Sequence, residues 1–368
     1  MKINKKKVLL VAAAFLLIIS IGITISNLQC NAFITTYKQG NNPVITEKIN
    51  EVIKQHAENN GFSGTVLVAK DDKILFNEGY GYAKRYFGRT QNTAETKYLL
   101  GSITKTFTAL AITKLEERKM LSFDDKVTKY FPEYKKWEDI TIHNLLNHSS
   151  GIPNYYQSPT DYIKYFAFHK TPEQILSVYK NTDLLFKPGT EFKYSNTNYI
   201  ALARIVEMIS GQSYINFLNQ NILEPLNMTS TGYEEKTGAV ENMARGYALN
   251  MIVEVNGFNL SNLFGAGGLY SSTEDLFKFA RALDHNKMVN DKTQIPTSKT
   301  NPNATRYGYG LVLDNNKDYG KAYYHTGGGP GISTVMFKLE DKDAIVIILS
   351  NNQLYPNENI IKELADLF

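Results

Sequence analysis

The chain has 368 residues, of which 43% are hydrophobic and 21% are charged, a balance that supports a globular core and excludes intrinsic disorder. Its formal net charge of +4 is supplied by Lys2, Lys5, Lys6 and Lys7, so the rest of the chain is neutral in sum and charge gives no support to nucleic-acid binding. The single cysteine, Cys30, excludes an internal disulfide and a thiolate metal cluster.

The N-terminus has the pattern of an export segment. Residues 1–7 are a short basic head, and residues 8–25 are a mostly apolar run without charge, which fits a signal peptide or a minimal membrane span. The basic head favours export of everything that follows. A weak cleavage site before Phe33 leaves a secreted and a membrane-anchored protein both open. The expected division is a signal peptide or membrane anchor over residues 1–32, a linker over 33–44, and a folded domain over 45–368.

Hydrophobic periodicity within the folded domain predicts strands and a helix at each end, with helices between. Residues 64–69 and 73–80 flank an Asp-Asp pair, which is typical of a β-hairpin. Helices are predicted over residues 45–59, 102–118, 142–146, 172–179, 197–209, 214–223, 272–283 and 357–368. Strands are predicted over residues 308–313, 321–325, 332–339 and 344–349. The order predicts an α/β part, about 45–123 and 284–368, whose sheet is built from both ends of the chain, and an all-α insertion, about 124–283.

The first candidate for chemistry is the pair Ser102 and Lys105. Serine needs a base within hydrogen-bond reach to act as a nucleophile, and residues three apart on a helix lie on one face. Gly101 allows a sharp turn into the helix, whose N-terminal dipole favours negative charge on the serine. The same Ser-x-x-Lys spacing recurs at Ser177, but Pro172 marks that helix start, so Ser177 is predicted to lie on a solvated helix face.

The second candidate is the pair Tyr194 and Asn196. They follow a Pro-Gly turn at 188–189 and precede a predicted helix, so the backbone between them can be extended, and residues two apart then point the same way. A phenol beside an ammonium group can relay a proton. A structural tyrosine is the alternative for any one of the 24 tyrosines.

The third candidate is the run that begins at His325 and ends a predicted strand. Glycines at 327 and 328 let a substrate backbone approach closely, and the N–H groups of Gly328 and Ser102 can form an oxyanion hole. Thr326 can hold a substrate carboxylate. Taken alone, the run also fits a glycine-rich hairpin turn.

In this order and at these intervals, the three motifs resemble those of the penicillin-recognising serine hydrolases, most closely the class C β-lactamase and D-alanyl-D-alanine carboxypeptidase branch. The intervals also select Ser102 over Ser177. Further stretches similar to the family are residues 140–152, 188–190 and 265–276. The first of these holds His143 and His148, which we interpret as structural because they form no metal-binding spacing.

The resemblance implies a β-lactamase/transpeptidase-like fold, an antiparallel sheet flanked by helices beside an all-helical part, with the active site between them. It implies no metal or organic cofactor. By position, the roles it implies are Ser102 as acylated nucleophile, Lys105 as its assistant, Tyr194 as general base and acid, Asn196, Thr326 and Gly327 as substrate-binding residues, and the N–H groups of Ser102 and Gly328 as the oxyanion hole. His325 stands where β-lactamases have lysine and is expected to tune Tyr194 and to titrate near neutrality.

The leading functional hypothesis is an exported serine hydrolase that acts on D-alanyl peptides or esters of the cell envelope. The expected substrates are small peptides, esters or β-lactams, with a cell-envelope polymer and the membrane as further partners. The alternatives are a class C-like β-lactamase, which His325 disfavours, an esterase of the same fold, and a non-catalytic β-lactam sensor or wall-binding protein. Loss of a motif residue would favour the last, and none is lost.

Overall fold

The computed structural model describes residues 42–86, 88–155, 169–233, 240–255, 260–284, 306–353 and 355–368. The predicted export segment and almost all of the linker lie outside these residues and stay predictions. Among the residues that are described, no helix is both long enough and apolar enough to cross a bilayer.

The strands are β1 (Gly64–Lys70), β2 (Lys73–Tyr80), β3 (Tyr82–Lys84), β4 (Thr90–Gln91), β5 (Tyr98–Leu99), β6 (Gly232–Tyr233), β7 (Gly246–Ala248), β8 (Val253–Val255), β9 (Leu269–Ser271), β10 (Arg306–Tyr307), β11 (Val312–Asn316), β12 (Gly320–Gly329), β13 (Ile332–Leu339) and β14 (Ala344–Ser350). The helices are α1 (Pro43–Asn59), α2 (Thr104–Glu117), α3 (Ile142–Leu146), α4 (Pro172–Ser177), α5 (Asn196–Ser210), α6 (Tyr214–Leu218), α7 (Thr273–Asp284) and α8 (Asn357–Ala365). A π-helical turn, Asn219–Leu223, follows α6.

A seven-stranded sheet joins the two ends of the chain. Its order is β10-β11-β12-β13-β14-β1-β2, and every neighbouring pair is antiparallel. The predicted hairpin forms β1 and β2, and its turn residues Asp71 and Asp72 have φ of 47° and 62°, a conformation that aspartate tolerates better than most residues. β14 pairs with β1 from Gly64 to Lys70. The prediction of one sheet built from both termini is therefore confirmed.

The two faces of the sheet bury different helices, because successive strand residues point to opposite faces. Val66 and Val68 of β1 pack in a cluster with α1 and α8. Leu67 and Ala69 pack on the other side, in the larger cluster that holds α2, α5 and α7. Within the sheet, β12 contacts the turn Gly101–Ile103 that precedes α2. The sheet thereby presents the end of β12 to the first turn of α2.

The chain departs from the predicted elements in several places, among them the short strands β3, β4 and β5, which were not predicted. The expected strand over 308–313 is interrupted, because Gly310, with φ of +72°, lies so close to α2 that a Cβ there would be 2.8 Å from the Lys105 carbonyl oxygen. β12 continues through the glycine run to Gly329, where a turn was an alternative. The central part was expected to be all-α, but its described residues contain β6, β7, β8 and β9 besides the helices α3 to α7.

Candidate active site

Ser102 lies where the chain turns into α2. Gly101 has φ of +55°, a left-handed conformation that favours glycine, and Gly101–Ile103 form a single 3-10 turn before α2 begins. This turn places Ser102 and Lys105 on the same side of the helix start. The Lys105 Nζ donates a hydrogen bond to the Ser102 Oγ over 3.0 Å, so the predicted pairing is present in the structure.

Lys105 is fully buried, with 0% of its surface exposed. Besides Ser102, its ammonium group donates to the Asn196 Oδ1 over 2.7 Å and to the Ala266 carbonyl oxygen over 2.6 Å. Burial lowers the pKa of Lys105 well below its usual range, since a charged amine loses its hydration in the interior. A lowered pKa makes it easier for Lys105 to lose a proton, and as the neutral amine its Nζ can accept the proton of the serine hydroxyl.

Tyr194 and Asn196 lie beside this pair. Ser195 has an extended backbone, with φ of −142°, so the two flanking side chains point the same way, as predicted. The Lys105 Nζ lies 4.9 Å from the centre of the Tyr194 ring. Asn196 begins α5, and the Asn154 Oδ1 accepts hydrogen bonds from its backbone N–H and from its side-chain Nδ2 over 3.0 and 3.2 Å. Asn154 therefore turns the Asn196 Oδ1 toward Lys105.

The glycine run of β12 packs against the segment before Ser102. Gly327 has no room for a side chain, because a Cβ there would be 1.9 Å from the Leu100 carbonyl oxygen. A Cβ on Gly101 would be 3.0 Å from the Gly328 nitrogen. The backbone of Gly328 thus lies against the turn that carries Ser102, an arrangement suited to an oxyanion hole made by the N–H groups of these two residues.

Thr326 lies apart from this cluster. It alternates with His325 and Gly327 along β12 and is exposed. It lines a pocket of about 430 Å³ that also touches Ser333 of β13 and Asn357 of α8, on the opposite face of the sheet from α2. The structure therefore does not bring the Thr326 side chain into the group of Ser102, Lys105 and Tyr194, and its contact with a substrate carboxylate stays a prediction.

His325 is buried, and both of its ring nitrogens are occupied. The Nδ1 lies 2.7 Å from the Thr326 carbonyl oxygen, to which it donates, and the Nε2 accepts from the Tyr307 hydroxyl over 2.9 Å. Burial, with a contribution from the charge of Lys105, lowers the pKa of His325 to about 3. The expectation of a titration near neutrality is therefore wrong for this environment, and His325 is a neutral group in the working range.

We expect the free energy of unfolding to decrease less in His325→Gln than in the wild-type protein when the pH is lowered. The folded-state pKa of His325 is about 3 and its ordinary value is 6.5, so between these limits only the unfolded state binds the proton, and the free energy of unfolding decreases as the pH falls. For one histidine the decrease from about pH 6.5 to about pH 4.5 is about 2 kcal/mol. Urea unfolding of both proteins at the two pH values measures the difference.

The matched control is His169→Gln, because His169 is exposed. This variant should keep the pH dependence of the wild-type protein. Equal slopes for wild type and His325→Gln would show that His325 is not held neutral by the fold.

Several site residues carry no recognisable signal in the sequence. Ala266 contributes only its carbonyl oxygen, and Tyr307 is one of 24 tyrosines. Asn154 and His148 lie in or beside a stretch that resembles the family but suggests no role for them. Ser177, the rival serine, is exposed in α4 and donates to the Gln174 carbonyl oxygen over 2.9 Å. The structure thus places Ser177 on a solvated helix face, as predicted.

A buried lysine beside a serine at a helix start, with the backbone of Gly328 alongside, is typical of the class of serine hydrolases. Comparison with known proteins agrees with this class. The family model Beta-lactamase matches residues 49–367. The chain therefore belongs to the β-lactamase family, whose members are serine hydrolases, and the predicted family and fold class are confirmed.

Two similar proteins and one solved structure are named as penicillin-binding proteins. Penicillin-binding protein 4* of Bacillus subtilis (strain 168) is 33% identical over 322 residues, which are 80% of this chain and 69% of the relative. The putative penicillin-binding protein PbpX of the same strain is 29% identical over 320 residues, 86% of this chain and 78% of the relative. The crystal structure of a penicillin-binding protein from Bacillus halodurans has a TM-score of 0.76 at 25% identity and covers 87% of this chain and 99% of its own.

Proposed function

We propose that the protein is an exported serine hydrolase that forms an acyl-enzyme at Ser102 and acts on D-alanyl peptides or esters of the cell envelope. The hydrogen bond from the buried Lys105 Nζ to the Ser102 Oγ is the observation that carries the proposal. The N-terminal pattern of residues 1–32 supports export, and the names of the relatives support an envelope substrate.

The proposed reaction has two steps. The Ser102 Oγ attacks the substrate carbonyl carbon, its proton passes to Lys105 directly or through Tyr194, and the N–H groups of Ser102 and Gly328 stabilise the negative charge on the carbonyl oxygen. The proton then goes to the leaving alcohol or amine as its bond to the carbonyl carbon breaks. Water repeats the attack on the ester of Ser102 and releases the acid.

One observation favours a second candidate, an esterase whose substrate has no free carboxylate. His325 is neutral and both of its ring nitrogens are engaged by Thr326 and Tyr307. It therefore offers no positive charge to a substrate carboxylate, as a lysine at this position would. The same observation counts against an efficient β-lactamase.

The test is intact-protein mass spectrometry of the purified full chain before and after incubation with benzylpenicillin. We expect a long-lived adduct of one penicilloyl group on the wild-type protein and none on Ser102→Ala, because only an acylated serine retains the opened ring. Ser177→Ala is the matched control and should form the adduct normally.

The remaining outcomes of this experiment correspond to the β-lactamase, to the esterase or to a different nucleophile. Consumption of benzylpenicillin without an adduct would indicate a β-lactamase. Intact benzylpenicillin without an adduct would favour the esterase. The esterase would then be established if the wild-type protein, and not Ser102→Ala, hydrolyses a D-alanyl ester that has no free carboxylate. An adduct that survives Ser102→Ala and is lost in Ser177→Ala would overturn the choice of nucleophile.

A further inference from the structure

His148 lies between α3 and the segment of Tyr194 and is completely buried, with 0% of its surface exposed. Its backbone has φ of 60°, in the left-handed region where a side chain with a Cβ is strained and glycine or asparagine is favoured. A histidine at such a position costs conformational free energy.

The residue binds the chain on both sides of Tyr194. The His148 carbonyl oxygen accepts from the Lys193 backbone N–H over 3.0 Å, and the His148 Nδ1 accepts from the Ser195 backbone N–H over 3.3 Å. The side-chain Nδ2 of Asn198 lies 3.3 Å from the same Nδ1. Because a backbone N–H can only donate, the Nδ1 is the acceptor and the ring proton is on the Nε2.

The imidazole ring also packs directly on the side chain of Tyr194. The two ring centres are 4.3 Å apart, with an angle of 41° between the planes. The rings of Tyr199 and Tyr307 lie 5.1 and 4.7 Å away, and no hydrogen-bond acceptor faces the Nε2 among the described residues. Burial and the charge of Lys105 lower the pKa of His148 well below its usual range. The ring is thus neutral and enclosed by aromatic groups, so it is not itself a proton carrier.

We propose that His148 is a positioning residue for the reaction, which holds Tyr194 beside Lys105 through the Nδ1 acceptor and the ring contact. The inference rests on the proposed function, because it assigns His148 to the acylation of Ser102. It assigns His148 a role beyond the structural one that the sequence suggested. Misplacing a reacting group by about 1 Å can cost about 100-fold in rate, so the contribution is measurable without any contact between His148 and the substrate.

Two substitutions of His148 distinguish the effect of losing the hydrogen-bond acceptor from the effect of disturbing the fold. His148→Gly removes the imidazole where the backbone conformation favours glycine, so the variant is expected to fold. His148→Asn tolerates the same backbone conformation and places an Oδ1 acceptor close to the position of the Nδ1. The matched control is His143→Asn, because the hydrogen-bond partners of the His143 ring are Tyr309 and Asn147.

The first readout is the rate constant for acylation of Ser102 by benzylpenicillin, followed by mass spectrometry. We expect His148→Gly to acylate about 50-fold or more slowly, His148→Asn to stay within about 10-fold, and His143→Asn to stay within about threefold of wild type. An acylation rate of His148→Gly within about threefold of wild type would overturn the proposal. So would an equal loss in His148→Gly and His148→Asn, because a merely structural role predicts no rescue by the acceptor.

The second readout does not depend on acylation. Hydrogen exchange of the Ser195 backbone amide should be about 10-fold faster or more in His148→Gly and close to wild type in His148→Asn, since only the latter keeps an acceptor. If benzylpenicillin does not acylate the wild-type protein, the proposed function fails on this substrate. If exchange of the Ser195 amide is unchanged in His148→Gly, the hydrogen bond from this amide to the His148 Nδ1 does not hold the segment, and the positioning role fails.

Discussion

Lys105→Met is expected to lower kcat/KM by about 1,000-fold, because proton transfer by a positioned side chain contributes roughly 100- to 10,000-fold to a reaction rate. The Lys105 Nζ lies 3.0 Å from the Ser102 Oγ, within hydrogen-bond distance. Methionine fills a similar space but cannot accept a proton. Steady-state hydrolysis of a D-alanyl ester by wild type and variant measures the loss.

The matched control for this loss is Lys114→Met in the same helix. Lys114 is half-buried and burial lowers its pKa as well, but it lies nine residues further along α2, roughly 13 Å at the usual rise per residue. We expect its kcat/KM to stay within about threefold of wild type. Activity above about a tenth of wild type in Lys105→Met, with a normal melting temperature, would assign the proton transfer to another group such as Tyr194.

The parts of the site that could be predicted from the sequence are those that short-range geometry determines. Ser102 and Lys105 are one helical turn apart, so the spacing alone places them together once the helix is predicted. Tyr194 and Asn196 share a side because Ser195 is extended, as the turn before them and the helix after them indicate. The hairpin of β1 and β2 follows from its Asp-Asp turn in the same way.

The parts that could not be predicted depend on burial and on contacts between distant segments. The titration expected for His325 was wrong because its pKa depends on the loss of solvent around the ring, which a glycine-rich run does not reveal. The partner of Lys105 at Ala266 is a carbonyl oxygen 161 residues away, and every residue has such an oxygen. The interruption of the expected strand at Gly310 reflects the close approach of α2, which is also a tertiary effect.

Gly327→Ala is expected to destabilise the protein by about 3 kcal/mol and to lower kcat/KM by about 100-fold. A Cβ on Gly327 would be 1.9 Å from the Leu100 carbonyl oxygen and 2.2 Å from the Thr334 Oγ1. The Thr334 hydroxyl also donates to the same carbonyl oxygen over 2.8 Å, so neither atom can move away without loss of this bond. Overpacking at a rigid contact costs about 1–3 kcal/mol, and occasionally more. Thermal melting and steady-state kinetics measure the two effects.

The rate effect of Gly327→Ala should exceed what destabilisation alone produces, because the clash separates β12 from the turn that carries Ser102. The matched control is Gly329 at the end of the same strand, where a Cβ would be in ordinary contact with the Ile332 side chain at 3.5 Å. We therefore expect Gly329→Ala to keep the melting temperature and a kcat/KM within about threefold of wild type. If Gly327→Ala melts and turns over substrate as Gly329→Ala does, the glycine run of β12 does not hold its place against the turn that carries Ser102.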